Sequence, residues 1–383
     1  MHDLVIDNAR IVDGTGAPSR HGSVAVKDGR IVDVAGAAGE AAHERLDAGG
    51  LALAPGFIDP HTHYDAQLAW DPLVTCSSWH GVTTVVTGNC GVGVAPCRPD
   101  ARGVLMGDLV NVEAIPLEVM RRGIGWRWET FPQWMDALAG APLGINVAPL
   151  VPLTPLRHYV MGEASFERAA RPDEAARMAA LLDEAMGAGA FGFSTTMLAN
   201  HVGHQGRPLA CRLADAGELR ALAGVLRRRG RGAIEAAITS QFDRVTDDEL
   251  AALTLLVEES RRPVTYLAVF ALAGRSHETV VARTAHLLGR DRAVPQVSCR
   301  PLRVQFTLQN AFIFATLATW GAAFNRTPEE LRALYRSAQC TGWTTPTHVT
   351  ATGCPPARSR RCRASTSAST STRRSRTTGP PSR

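Results

Sequence analysis

A chain of 383 residues is long enough for one large α/β barrel or for two ordinary domains. Its apolar fraction of 45% is ordinary for a globular protein, and no apolar run approaches the length that spans a bilayer. The net charge of +5 belongs to the end of the chain: residues 341–383 hold eight Arg and no acidic residue, which leaves −3 on residues 1–340 and removes the case for a nucleic-acid partner.

The first residues, MHDLVIDNAR, carry charges where a secretory leader needs an apolar core, so a cytoplasmic protein with no membrane partner is expected. Eight scattered cysteines then read as free thiols and not as a disulfide framework. A single lysine, Lys27, stands among 41 basic residues, the bias of a GC-rich coding sequence.

Residues 1–54 read as a small β-domain of short strands and turns, with Asp28-Gly29 as a hairpin turn between alternating apolar residues. A short apolar run from Leu51 then enters Pro55-Gly56-Phe57-Ile58-Asp59 and breaks into PHTHYD. On a strand His61 and His63 point to the same side. Neutral imidazole nitrogens suit zinc and similar ions, although a lone His-x-His is as readily structural.

Further strands are predicted over 83–88, 144–151, 190–195, 232–238, 263–270 and 293–298, with helices over 172–188, 214–229 and 246–260 between them. Asp173 and Thr246 are the expected N-caps. Strand and helix alternating over 55–340 predict a parallel sheet closed as a (β/α)8 TIM barrel, with seven strands counted and the last one missing. From residue 341 the chain is Ser, Thr, Arg, Pro and Ala with almost no large apolar residue, so 341–383 is expected to be disordered. It reads either as a basic tail or, preferably, as an out-of-frame translation replacing a C-terminal part.

Four stretches carry a resemblance: HTHYDAQLAWDP, SSWHGVTTVVTGNCGVGVAPCRPD, LRHYVMG and GAFGFSTTMLANHVGHQGRPL. Together with the β-domain before them, they resemble the N-acyl-D-amino-acid deacylase (D-aminoacylase) branch of the amidohydrolase superfamily. The resemblance covers roughly residues 3–320 and is densest between 50 and 100. It implies a metal site on His61, His63 and Cys90, where the cysteine of GNCG stands in for the superfamily's carboxylated lysine. Lys27, the one lysine, lies in the β-domain hairpin and agrees with that reading.

The implied cofactor is zinc, one or two divalent ions, and the implied partner is a small N-acyl amino acid-like substrate. The implied reaction is hydrolysis of a linear amide by water that the metal activates. His201 and Glu235 are candidates to line the site, Glu235 as an oxygen ligand or equally as the partner of an Arg. Arg157 is a candidate for a substrate carboxylate or, no less, for a surface ion pair. Three departures oppose this reading. The histidines that the resemblance implies on the fifth and sixth strands are absent from 232–237 and 263–268, and no aspartate follows Asp291 to act as the eighth-strand base. The alternative is a non-catalytic protein on the same scaffold.

Overall fold

The computed structural model describes residues 1–239, 244–271, 276–289 and 292–298, and beyond them residues 301, 307–309, 314, 318–324 and 326–337. The tail expected to be disordered, 341–383, lies outside the described residues.

The chain begins with β1 (His2–Ile11), β2 (Arg20–Lys27), β3 (Arg30–Val34), β4 (Ala42–Asp47) and β5 (Ala52–Leu53). They form one sheet of order β3-β2-β1-β4, with β5 also pairing to β1. The predicted turn joins β2 to β3 through Asp28 and Gly29, whose φ values of 51° and 67° are both left-handed. A tight turn that matches strand twist requires this pair of signs, and Asp followed by Gly adopts it readily. The Asp3 carboxylate accepts a hydrogen bond from the Asp28 amide at 2.6 Å and holds the turn. Pairing of β1 with β4 and β5 is parallel, which local hairpin patterning did not specify.

Seven further strands follow: β6 (Phe57–Asp59), β7 (Val82–Thr87), β8 (Asn146–Pro152), β9 (Gly192–Thr196), β10 (Ala233–Ala237), β11 (Val264–Leu267) and β12 (Ala293–Pro295). They hydrogen-bond in sequence order into one wholly parallel sheet. Parallel neighbours need crossovers, and helices supply most of them. They are α1 (Thr75–Ser78), α2 (Arg102–Glu113), α3 (Leu117–Gly123), α4 (Phe131–Ala139), α5 (Leu153–Met161), α6 (Pro172–Ala188), α7 (Ala216–Arg229), α8 (Asp247–Ser260) and α9 (Ser276–Thr284); α10 (Pro328–Arg336) follows β12. Met178, Leu182, Leu222, Leu226, Leu253 and Leu256 from α6, α7 and α8 are buried in one apolar cluster with strand residues Phe193, Ile234 and Val264. The expected barrel architecture and small leading sheet are both present, with seven barrel strands among the described residues.

Thr246 caps α8 as expected: its hydroxyl accepts the Glu249 amide, and the Glu249 carboxylate accepts the Thr246 amide. At α6 the expectation shifts. Arg171 takes the cap position, Pro172 opens the helix and Asp173 lies inside the first turn. Proline fits the first helical position because its φ is preset and it has no N–H to leave unpaired.

Strand order puts β6 and β12 at opposite edges, yet the residues that follow them touch. His61 Nδ1 and Gln296 Oε1 are 2.7 Å apart. The sheet therefore curls until its two edges meet at their C-terminal ends. Lower on those edges, Phe57, Ile58 and Val294 are exposed.

Candidate metal centre

The site is built where β6, β7, β10 and β12 end. After β6, His61 and His63 turn their imidazoles to one cluster, with Nε2 atoms 3.2 Å apart, while Thr62 between them faces β7. Thr62 is buried and ties this segment to β7: its amide and its hydroxyl both donate to the Val86 carbonyl, at 3.1 and 2.7 Å. The Asn89 side-chain amide donates to the carbonyls of Thr62 and Val86 at 3.1 and 2.9 Å, which locks the two strand ends together.

After β7 the backbone makes a compact reversal through Gly88-Asn89-Cys90-Gly91. Gly88 has φ of 78°, and a Cβ there would sit 2.2 Å from the Leu150 carbonyl oxygen, so only glycine fits. Cys90 is itself left-handed at φ 55°, a conformation that is strained for a residue with a side chain. The Glu235 carboxylate of β10 offsets that strain by accepting the Cys90 amide at 2.7 Å. The thiol is thus aimed by a buried carboxylate on a strand three positions away in the sheet.

The result is a cluster of three donor atoms. His61 Nε2 lies 3.2 Å from His63 Nε2 and 3.4 Å from Cys90 Sγ. Ligand atoms of His61, His63 and Cys90 all fall within 4.8 Å of one another. Gln296 selects the tautomer of His61. Its side-chain N–H donates to Thr265 Oγ1 at 3.1 Å, which turns its carbonyl oxygen toward His61 Nδ1. Nδ1 must then carry the proton, leaving the Nε2 lone pair to face the cluster.

The electrostatics fit a cation. Burial pushes His61 and His63 down to about 4, with His63 adding to the effect on His61, so both rings are neutral ligands at neutral pH. Burial pushes Glu235 up to about 8 against the opposing hydrogen bond from Cys90, and it pushes the Cys90 thiol well up. Among the described residues Glu235 Oε1 is buried without a hydrogen-bond partner, 3.9 Å from His61 Nδ1. Among the described residues, no Lys or Arg is ion-paired with Glu235, and the imidazoles and the thiol are largely buried. A divalent ion reverses that balance, because it deprotonates a thiol outright and is stabilised by carboxylate. The N,N,S donor set suits zinc.

His201 lies near the site, outside the cluster of three donor atoms. It follows β9, hydrogen-bonds through Nδ1 to Thr196 Oγ1 at 3.0 Å, and is pushed down to about 3 by burial and then by His63 and His61. His204 lies further along, its amide donating to Asp108 at 2.7 Å.

Arg157 does not come to the site. Its side chain is fully buried, ion-paired with Glu218 and donating to the carbonyls of Arg168 at 2.7 Å and Ser165 at 3.3 Å. A guanidinium committed in this way is a core ion pair, neither the surface pair nor the substrate contact expected of it.

Sequence reasoning missed three residues of this region. Gln296 carried a signal, since it lies at the C-terminal end of a predicted barrel strand, where such folds place their functional groups. Asp65, two residues past His63, is fully buried and accepts the Gly88 amide at 3.1 Å; burial pushes it up to about 7. Glu113 is the last residue of α2, with Oε1 3.3 Å from His63 Nε2, and burial pushes it up to about 8. Nothing local marked it out.

A curled parallel sheet behind a small β-sheet, with a His-His-Cys cluster at its C-terminal strand ends, defines a metal-binding α/β barrel. Residues 44–353 match the model of the amidohydrolase family, and the chain belongs to that family. N-acyl-D-aspartate deacylase of Alcaligenes xylosoxydans xylosoxydans is 45% identical over 197 residues, which are 50% of this chain and 36% of that protein. The crystal structure of a D-aminoacylase that defines a novel subset of amidohydrolases matches at TM-score 0.58 and 30% identity, over 76% of this chain and 57% of that one. N-acyl-D-glutamate deacylase from Bordetella bronchiseptica, complexed with zinc and a phosphonate inhibitor, matches at TM-score 0.58 and 30% identity, over 74% and 56%. The chain thus spans between 36% and 57% of the length of these relatives. Among the described residues no helix is long and apolar enough to cross a membrane.

Proposed function

We propose that this chain carries the metal half of an amide-hydrolysing site for N-acyl-D-amino acids, with zinc held by His61, His63 and Cys90. The observation that carries this reading is the convergence of those three donor atoms, drawn from two strand ends onto one point. A bound divalent ion would supply Lewis acidity there, acidifying water and polarising an amide carbonyl. The chain's own residues prepare the place. Gln296 holds the proton of His61 on Nδ1, Glu235 aims the Cys90 backbone, and Asn89 with Thr62 keeps the two strand ends in register. His201 lines the site beside the two imidazoles. The deacylase relatives support the substrate class, and the domain reading follows the same line: β-domain over 1–54, barrel over 55–340.

A second reading, a metal-holding protein without turnover, is favoured by one observation. Neither β10 nor β11 presents a histidine, and β10 offers the Glu235 carboxylate instead.

Metal content of the purified protein, beside a His61→Ala control, tests the site. Near one zinc per chain, lost in the control, is expected. Equal, substoichiometric metal in both proteins would end the metal reading. Given zinc, release of free D-amino acid from N-acetyl-D-aspartate and N-acetyl-D-glutamate separates the two readings. Release that stops in His61→Ala supports the enzyme, and none supports the second.

A further inference from the structure

Three amides of the Gly88–Gly91 reversal are taken by side chains from three separate segments of the barrel. Asp65, after β6, accepts the Gly88 amide at 3.1 Å, and Glu235 of β10 accepts the Cys90 amide at 2.7 Å. Ser194 of β9 accepts the Gly91 amide at 3.0 Å. We propose that Ser194 is a positioning residue of the metal centre, whose hydroxyl sets the shape of this turn and thereby the place of the Cys90 thiol. The inference rests on the metal reading above.

The geometry carries it. A four-residue turn is often closed by a hydrogen bond from its fourth amide to its first carbonyl. Here the Ser194 hydroxyl stands between those two groups. Its oxygen accepts the Gly91 amide while its O–H donates to the Gly88 carbonyl, which commits the one proton that a serine offers. The turn is thus held open by the width of one oxygen atom. Cys90 lies inside it, at φ 55°, with its thiol 3.4 Å from His61 Nε2.

The packing leaves the turn little slack. Ser194 is fully buried. A Cβ on Gly91 would stand 3.2 Å from the Thr195 Cα and 2.8 Å from Cys211 Sγ, so the turn rests on the backbone of β9 itself. On its other side, the close approach of Gly88 to the Leu150 carbonyl fixes it against β8. Removing the hydroxyl leaves a buried carbonyl and a buried amide without their partner, which is costly. Those two groups recover a partner by closing on each other. That movement turns the peptides between them and carries the thiol away from the imidazole.

The test compares the full chain with three variants. Ser194→Ala removes the hydroxyl, and Ser194→Thr keeps it. Thr195→Val removes a buried hydroxyl from the opposite face of the same strand, beside Leu219 of α7 and Leu256 of α8. Zinc affinity is read by competition with a chromophoric chelator, and the place of the thiol by the thiolate-to-cobalt band of the cobalt(II)-loaded protein. Far-ultraviolet circular dichroism follows the fold. Zinc should bind about tenfold more weakly, or worse, in Ser194→Ala, as it does when support behind a ligand is lost. The thiolate band of that variant should weaken or shift. Ser194→Thr and Thr195→Val should keep the parent's band and stay within about threefold of its affinity. A folded Ser194→Ala chain with the parent's affinity and band would overturn the proposal. So would losses in Ser194→Thr or Thr195→Val equal to those in Ser194→Ala, since neither of these variants removes the hydroxyl in question. A Ser194→Ala chain that does not fold would also overturn it, by making Ser194 a residue of the fold at large. If the parent chain and His61→Ala bind zinc equally, the metal reading itself fails and takes this inference with it. Failure in the Ser194 variants alone leaves that reading intact.

Discussion

At the scale of single residues, burial decides which charged groups serve the site and which serve the core. Arg157 and Glu218 form a fully buried ion pair whose guanidinium also donates to two carbonyls. Removing one partner strands a charge in the apolar interior, which typically costs 3–5 kcal/mol, whereas replacing both with apolar residues is close to neutral. Arg157→Met should therefore lower unfolding stability by about 3–5 kcal/mol in urea titrations, and the double variant Arg157→Met with Glu218→Leu should recover most of it. Arg157→Met should leave zinc stoichiometry unchanged. A variant that unfolds normally but loses metal would return Arg157 to the site. Glu235 is the opposite case: it is equally buried, but among the described residues its hydrogen bond goes to the amide that aims Cys90, so its burial belongs to the site.

At the scale of elements, α2 is the part whose role its sequence hides least well once its neighbours are known. Its apolar residues Leu105, Met106 and Leu109 are buried, and so are Asp108 and Asn111 of the same helix. Its polar residues Asp108, Asn111 and Glu113 reach instead toward the loop after β9 and toward His63. Asp108 gives this a pH signature. Burial pushes its carboxyl from 3.8 up to about 7, against the hydrogen bond from His204 that lowers it. The folded chain then keeps a proton that the unfolded chain has lost, so rising pH works against the fold between about 4 and 7 and adds nothing further above that. Asp108→Asn removes this contribution. The stability of the variant minus that of the parent should rise by about 2–3 kcal/mol from pH 5 to pH 8. Urea unfolding at those pH values checks it, and a flat difference would mean that Asp108 ionises in the fold at an ordinary carboxylate pH.

For the whole molecule, the contact between the two sheet edges matters most. The hydrogen bond from His61 to Gln296 joins residues that are far apart in sequence and come from the first and seventh barrel strands. It closes the sheet at the end where the donor atoms gather and selects the His61 tautomer. Gln296→Ala should cost about 1 kcal/mol globally, the usual net worth of one hydrogen bond. Its larger effect should be local: amide exchange at Phe57 and Thr62, which pair with Gly81 and Val86, should speed up while β9 and β10 stay protected. Equal protection of Phe57 and Thr62 in parent and variant would show that the edges are held together without this bond.

Much of this molecule was legible from its residues. The seven barrel strands, the helices α6 to α8, the turn at Asp28-Gly29 and the Thr246 cap follow from periodicity and local chemistry that act within a few residues. His61 and His63 are close for the same local reason, since they stand two residues apart and bring their Nε2 atoms to 3.2 Å. Cys90 needed a motif, because only the left-handed reversal at Gly88–Gly91 brings its thiol to them. Glu113, Gln296 and the buried fate of Arg157 needed the folded chain. Each depends on which distant element arrives beside it, and periodicity within one element cannot encode that. The sequence by itself determined the elements and placed His61 and His63 side by side. Tertiary structure alone decided the partners, because burial and contact across the barrel arise only when strands far apart in the chain curl to a common end.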